Sequence, residues 1–330
     1  MKKKSIWGVV IILIIVVIGL YQNRDTDKNT IKIGVILPLS DIFASFGEEA
    51  LAGVKSVTDQ YPNIELVIED EKCVPAPAVS AFQKLVEVDK VNFILGPVCG
   101  SPQEAIAPLV KEKDVLNILA SAATRNLHDV GGGKIYNSQY SLQQESKFIA
   151  EKMYELNYKK VILISYNNAF SKTHTDSFKE NFKGEIVADV VVSDNTTDLS
   201  TEIIKLKNIS ADAIFSTDGA FFFAQGIDKL KQYGINLPVF SQYVVEFPSI
   251  KPLAEGVIYS FPGDVGNKGA TYELAKISTE ILVKNINKCD GDYECVVKEF
   301  ERSNEFNEYG VRNQEIILKQ IKNGEAVRYE

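Results

Sequence analysis

What most constrains this chain is a rhythm. Short, almost continuously apolar runs alternate with longer segments whose apolar residues recur at helical spacing. Ile31-Lys-Ile-Gly-Val-Ile-Leu-Pro-Leu39 is β-branched and ends in a proline-containing loop; Gly47–Gln60 then places Ala50, Leu51, Val54 and Val57 on one helical face. Strand patterns at Ile64–Ile68, Val91–Leu95 and Val115–Leu119 alternate with helix patterns at Ala78–Val88 and Pro102–Lys111. After Gly131-Gly132-Gly133, read as a connector, the pattern restarts. Helices are expected over Gln144–Leu156, Ser171–Phe182, Leu199–Lys207, Phe222–Tyr233 and Ala270–Asn287. Strands are expected at Val161–Ser165, Glu185–Val192, Ala213–Thr217, Val239–Ser241, Gly256–Ser260 and, closing the chain, Gln314–Ile321. Strands with no polar alternation are covered on both faces, which requires a parallel sheet between helical layers. Two such units in succession predict an α/β fold of two doubly wound, Rossmann-like lobes with a ligand cleft between them. The loops beyond the carboxyl ends of the strands are then the place for a site. A length of 330 residues suffices for two cores.

Ahead of the first strand, Lys2, Lys3 and Lys4 precede seventeen uncharged residues, Ser5–Tyr21. As a helix this run spans about 25 Å, slightly short of a hydrocarbon core. Lysines on its N-terminal side leave that end in the cytoplasm and send the body outside. Both a cleavable signal and an uncleaved anchor have this form. No Ala precedes Ala44 to mark a cleavage site, and the first Cys is Cys73, so lipoprotein processing has no residue to use. These absences favour a membrane anchor over residues 1–23, followed by a polar linker over 24–30.

Composition narrows the function. Three of the 36 Lys and Arg lie in the first 23 residues, leaving 33 against 44 Asp and Glu in the exported body. Such an acidic body lacks the basic footprint that a phosphate backbone requires, so nucleic acid is excluded as a partner. No phosphate-loop, dinucleotide-binding or nucleophile-elbow motif is present, and no cofactor or metal is expected. His128 and His174 are the only histidines. His174 falls in a helix pattern among Lys172, Thr173 and Asp176 and reads as solvated; His128 reads as an exposed loop residue. Four cysteines in an exported chain favour two disulfides, Cys73–Cys99 and Cys289–Cys295, over four buried thiols. The second pair reads as a stapled surface turn around Asp290-Gly291-Asp292.

Three segments carry a resemblance: "IKIGVILPLSDIFASFGEEALAG", "FILGPVCGSPQEAIAPLVKEKDVLNILASAATRNL" and "YKKVILISYNNAFSKTHTDSFKENFKGEIV". They resemble the type I periplasmic-binding-protein fold, and within it the branched-chain amino-acid (Leu/Ile/Val) substrate-binding proteins of ABC transporters, over about residues 31–265. The resemblance implies two lobes joined by three crossovers, one built of 31–139 plus 263–311 and the other of 140–262 plus 312–330. It implies a lobe-one disulfide at Cys73–Cys99. It also implies a small amino-acid-like ligand captured by hinge closure and an ABC permease as partner. Carried over by position, the ligand carboxylate falls to Gly100 with Ser101 beside it and to the Ala122-Ala123-Thr124 turn. A carbonyl of that turn and a lobe-two acid fall to the ammonium, and Phe46 and Phe170 are the aromatic walls. Two positions depart from the family pattern. Gly100 stands where a Ser is usual, and Tyr243 stands where the acid is usual, which passes the acidic role to Asp218, with Glu246 as second choice. Of Phe221, Phe222 and Phe223, some are expected in the core and some at the cleft rim. A sensory domain signalling through a partner is the alternative function, and a carboxylate hydrolase a weaker one; the reading is of a binding protein and not an enzyme.

Overall fold

The computed structural model describes residues 30–329, except 122, 124–125, 194–195, 197, 218–221, 248, 264 and 267. The anchor expected at the N-terminus therefore lies outside the described residues. Among the described residues no helix is long and apolar enough to cross a membrane.

The first sheet contains β1 (Ile31–Leu37), β2 (Ile64–Asp70), β3 (Phe93–Leu95), β4 (Leu116–Leu119) and β5 (Ile135–Asn137), all parallel in the order β2-β1-β3-β4-β5. The second repeats that order with β6 (Lys160–Tyr166), β7 (Glu185–Val192), β8 (Ala213–Ser216), β9 (Val239–Ser241) and β10 (Ile258–Pro262) arranged β7-β6-β8-β9-β10. Two antiparallel strands, β11 (Ile316–Lys322) and β12 (Glu325–Arg328), extend it beyond β10. In both sheets the order reverses at the first strand, the arrangement that opens a crevice at the strand ends.

Side-chain alternation explains how the strands are covered. In β1, Ile33, Val35 and Leu37 face one layer and Ile36 the other. The first layer is α1 (Ala44–Thr58), α9 (Ala270–Lys288) and α10 (Tyr293–Arg302); the second is α2 (Pro75–Gln83) and α3 (Gly100–Lys113). In β6, Ile162 and Ile164 pack beside α7 (Ser200–Ile204) and α8 (Ile227–Gln232), while Val161 and Leu163 pack beside α5 (Leu142–Glu155) and α6 (Ala169–Asn181). A fully apolar strand is what a two-sided core demands, and burying one Ile or Leu contributes about 1.5–3 kcal/mol.

The chain crosses between the sheets three times: from β5 into α5, from β10 into α9 and from α10 into β11. The crossovers are bonded to one another. Asn137 N–H donates to Gly310 C=O, Arg312 N–H to Asn137 C=O, and Gly263 N–H to Glu315 C=O, so the third strap runs between the other two.

Several expectations are corrected. The helix expected from Gly47 starts earlier: α1 begins at Ala44. It begins close to β1, and a Cβ on Gly47 would lie 2.0 Å from Pro38 O, so only glycine allows the approach. Leu199–Lys207 shortens to α7, and Phe222–Tyr233 divides into a π-helical turn, Phe222–Gly226, and α8. His174 is completely buried, because α6 turns Phe170, His174 and Phe178 inward. His128 lies in a short helix, α4 (Leu127–Val130), with Nδ1 2.8 Å from Ile135 O and its ring against Tyr136. Both disulfides form, with Cα–Cα distances of 5.4 Å and 5.7 Å. Cys289–Cys295 is more than a turn staple: Cys295 lies in α10, whose Asp292 caps it by accepting from Cys295 N–H at 2.8 Å.

Candidate functional site

The carboxyl ends of the two sheets meet at the crossovers, and side chains hold each strand-end loop in place. In lobe one, Asp70 at the end of β2 accepts from Leu39 N–H (2.8 Å), Ser40 Oγ (2.5 Å) and Lys72 N–H (3.0 Å). Burial raises its pKa, but these bonds outweigh that, and the group lies below the ordinary carboxylate range. Asn117 Nδ2 donates to Gly96 O, Gln103 Nε2 to Pro97 O and Ser121 Oγ, and Ser121 Oγ to Val98 O. The loops after β3 and β4 are thereby tied together.

Of the expected lobe-one residues, Gly100 and Ser101 form the first turn of α3 and are exposed. No side chain caps that helix, so capping does not account for Ser101. A Cβ on Gly100 would find no heavy atom within 4 Å. Space for the absent side chain is therefore open at a helix N-terminus, where backbone N–H groups favour an anion. Ala123 is buried, and its carbonyl accepts Leu142 N–H at 3.1 Å, joining the turn after β4 to the start of α5. Ala122 and Thr124 lie outside the described residues.

In lobe two, Thr217 C=O accepts Gln242 Nε2 (2.9 Å) and Ser171 Oγ (3.4 Å). Tyr243 is buried and its N–H donates to Glu145 Oε1 at 3.1 Å. Its ring lies 5.7 Å from Phe247, which in turn lies 4.6 Å from Phe46 on α1. Phe46 and Tyr243 thus meet through Phe247, which bridges the two lobes. Phe170, half-buried in the first turn of α6, packs edge-on against His174 at 4.6 Å. Asp218 and Phe221 lie outside the described residues, while Phe222 and Phe223 are both core residues. Glu246, the second choice, is engaged within lobe two. Tyr259 donates to it at 2.6 Å and Lys319 Nζ lies at 3.0 Å.

Sequence reasoning missed Glu145, His174 and Phe247. Glu145 is completely buried, and its Oε1 gathers Tyr140 Oη (3.1 Å), Ser260 Oγ and Tyr243 N–H. Burial pushes its pKa up to about 7 against those bonds. Burial pushes His174 down to about 3, so the imidazole is neutral, with Nδ1 2.6 Å from Ser146 Oγ. The signal for both was position: Glu145 shares a helix face with Leu142, Ile149 and Met153, and His174 one with Phe170 and Phe178. An ionisable residue on an apolar face marks a buried polar site.

The profile of the periplasmic binding protein family matches residues 30–268. The chain is 25% identical over 256 residues to the Leu/Ile/Val-binding protein homolog 6 of Brucella abortus, covering 71% of this chain and 64% of that one. It is 23% identical over 198 residues to the Leu/Ile/Val-binding protein BraC3 of Rhizobium johnstonii, covering 56% and 53%. The chain thus spans less than two thirds of the length of these curated relatives. Its fold is similar to leucine-binding protein LivK of Thermotoga maritima (TM-score 0.81, 20% identity, 91% of this chain and 98% of that). It is also similar to LivJ of Streptococcus pneumoniae in complex with isoleucine (0.79, 21%, 90% and 97%). A third fold neighbour is a solute-binding protein of R. palustris in complex with benzoate (0.79, 16%, 91% and 95%).

Proposed function

We propose a function from one premise: this chain belongs to the periplasmic binding protein family, in its type I, Leu/Ile/Val-binding-like branch. On that premise it is an extracytoplasmic solute-binding protein. It captures a small amino-acid-like ligand between its lobes and delivers it to an ABC permease, with no catalytic step. The observation that carries this reading is the junction itself. Two sheets of identical strand order meet at their carboxyl ends, joined by three mutually bonded straps and by the Phe46–Phe247 contact. A ligand touching both lobes stabilises the closed form by its differential affinity for it, which is how capture becomes a signal to a permease.

Within this reading Gly100, Ser101, Ala122, Ala123 and Thr124 form the lobe-one anion site, and Phe46, Phe170 and Tyr243 wall the cleft. Residues 5–21 anchor the chain to the membrane; the support is seventeen uncharged residues behind three lysines. The lobes are 31–139 plus 263–311 and 140–262 plus 312–330.

A thermal-shift panel on residues 24–330 tests capture, with amino acids first, then aromatic and aliphatic carboxylates and short amides. A ligand at 100 times its Kd adds about 2.7 kcal/mol of stability, several degrees in Tm. A panel in which no compound shifts Tm would remove the reading.

A further inference from the structure

The two disulfides are alike in exposure and opposite in electrostatic setting. In each, one cysteine is buried, Cys99 at 8% and Cys289 at 7%, and its partner, Cys73 or Cys295, is half-buried. Cys99 is the N-cap of α3, whose first turn holds no acid and receives no side-chain cap. The N–H groups of Gly100 and Ser101 have no acceptor within the helix, and an anion beside them is stabilised. Cys289 is the C-cap of α9, where unpaired carbonyls present the opposite charge. Its partner Cys295 lies in the first turn of α10, but beside Glu294 and with the Asp292 carboxylate on its own N–H at 2.8 Å. A thiolate is therefore favoured at Cys99 and opposed at both sulfurs of the second bond. The loop carrying Cys73 is held in an unfavourable form. Lys72 and Cys73 are consecutive non-glycine residues in the left-handed region, at φ 55° and 61°. Just before them Glu71 is completely buried, and neither carboxyl oxygen has a hydrogen-bond partner among the described residues. Each feature costs free energy, and the bond to Cys99 fastens this loop to α3. Burial keeps a proton on Glu71 up to about 7, so below that value it sets no charge against a thiolate. Asp70 is turned to Leu39 N–H, Ser40 Oγ and Lys72 N–H.

We infer that Cys73–Cys99 is a redox-active disulfide, a site of thiol–disulfide exchange with an external dithiol. One thiolate of the dithiol attacks Cys73 Sγ, on the more exposed residue, and a mixed disulfide forms there. The S–S bond breaks, and its electron pair leaves with Cys99 Sγ at the head of α3. The second thiolate of the dithiol then attacks the dithiol's own sulfur in the mixed disulfide and releases Cys73. Two electrons pass to the protein, the dithiol becomes a disulfide, and its two protons end on Cys73 and Cys99. The helix end acts on the leaving group, which departs faster the lower its pKa. This governs the rate of exchange, not the stability that each bond contributes. Opening the bond frees the end of β2 from the head of α3, the turn that holds Gly100 and Ser101. Such control goes beyond solute capture, and its test uses no solute.

The full chain in detergent is treated with dithiothreitol, alkylated at intervals and digested for mass spectrometry. Cys73–Cys99 is expected to open about 10-fold faster than Cys289–Cys295. Glutathione, a monothiol, should be found on Cys73 and not on Cys99. In Cys73→Ser the thiol of Cys99 stands alone. The pH midpoint of its alkylation should lie about one unit or more below that of Cys289 in Cys295→Ser. Hydrogen exchange at the head of α3 should quicken about 10-fold on reduction, with exchange over β6 unchanged. Equal opening rates, Cys289–Cys295 opening first, or glutathione on Cys99 would each overturn the inference. So would a midpoint for Cys99 at or above that of Cys289, a readout of the thiolate that exposure alone does not move. Unchanged exchange at α3 would overturn its release. If either serine variant fails to fold, the two opening rates of the parent chain decide alone.

Discussion

Replacing Glu71 by Gln is expected to flatten the pH dependence of stability. Glu71 follows β2, two residues before Cys73; it is 0% exposed, and neither carboxyl oxygen has a hydrogen-bond partner among the described residues. Burial, assisted by the neighbouring Asp70 charge, pushes its pKa from 4.5 up to about 7, against the nearby N–H groups of Cys73 and Val74. In the unfolded chain the group titrates near its ordinary value, so between the two values the folded state holds more protons. Its contribution is therefore fully present below about pH 4.5 and is lost as pH rises through about 7. At about 1.36 kcal/mol per pH unit, the difference amounts to about 3 kcal/mol. The assay is urea denaturation followed by circular dichroism at pH 5 and pH 8, comparing the parent chain with Glu71→Gln. Glu145 titrates in the same window in both proteins and cancels in the comparison. A buried amide costs the variant a pH-independent amount, so the quantity to read is the change in slope. Relative to the parent, the variant should gain about 3 kcal/mol between the two conditions. Parallel stability curves would show that Glu71 does not change its proton affinity between the folded and unfolded states.

Phe247→Ala removes the aromatic bridge to Phe46; it is expected to weaken ligand binding about 5- to 10-fold and to enlarge the ligand-free radius of gyration in solution scattering, and an unchanged radius would remove the bridge from closure. Cys73→Ser with Cys99→Ser opens a loop with a sequence separation of 26 and Cys289→Ser with Cys295→Ser one of 6. Chain entropy assigns these loops about 3.5 and about 2.2 kcal/mol, so the lobe-one pair should cost more in a denaturation midpoint, and the reverse order would contradict a loop-entropy origin. Gly100→Ser places a hydroxyl in open space at the start of α3 and should leave Tm within about 1 °C while tightening carboxylate-bearing ligands several-fold. Calorimetry showing no tightening would place the ligand carboxylate elsewhere.

The doubly wound architecture was legible because two-sided burial writes itself into strands such as Ile33–Leu37 and Val161–Ile164, where polar residues have no face to occupy. Short elements were not. β5 has three residues, and α10, with Val296, Val297 and Phe300 on its buried face, was hidden behind the attention drawn by two cysteines. The helix start after β3 was readable by position, since Gly100 and Ser101 stand at the head of α3. The buried polar network around Glu145 was not, because its atoms come from residues far apart in sequence. Glu145 and Ser260 are separated by 115 positions, and nothing local to either says that they meet. His174 was misread for a related reason. Its immediate neighbours Lys172, Thr173 and Asp176 are polar, but a helix distributes them to the opposite side.

The core of the first lobe is assembled from both ends of the chain. Ala275, Leu282, Ile286, Val296 and Phe300 complete, together with α1, the cover on one face of β1, β3 and β4, yet they follow β6–β10 of the second lobe in sequence. During synthesis that face therefore waits, covered only by α1, through more than a hundred residues, whereas the strands and helices between α5 and β10 come out as one contiguous stretch. The core of the first lobe is thus completed only when the last helices arrive, a delay set by topology.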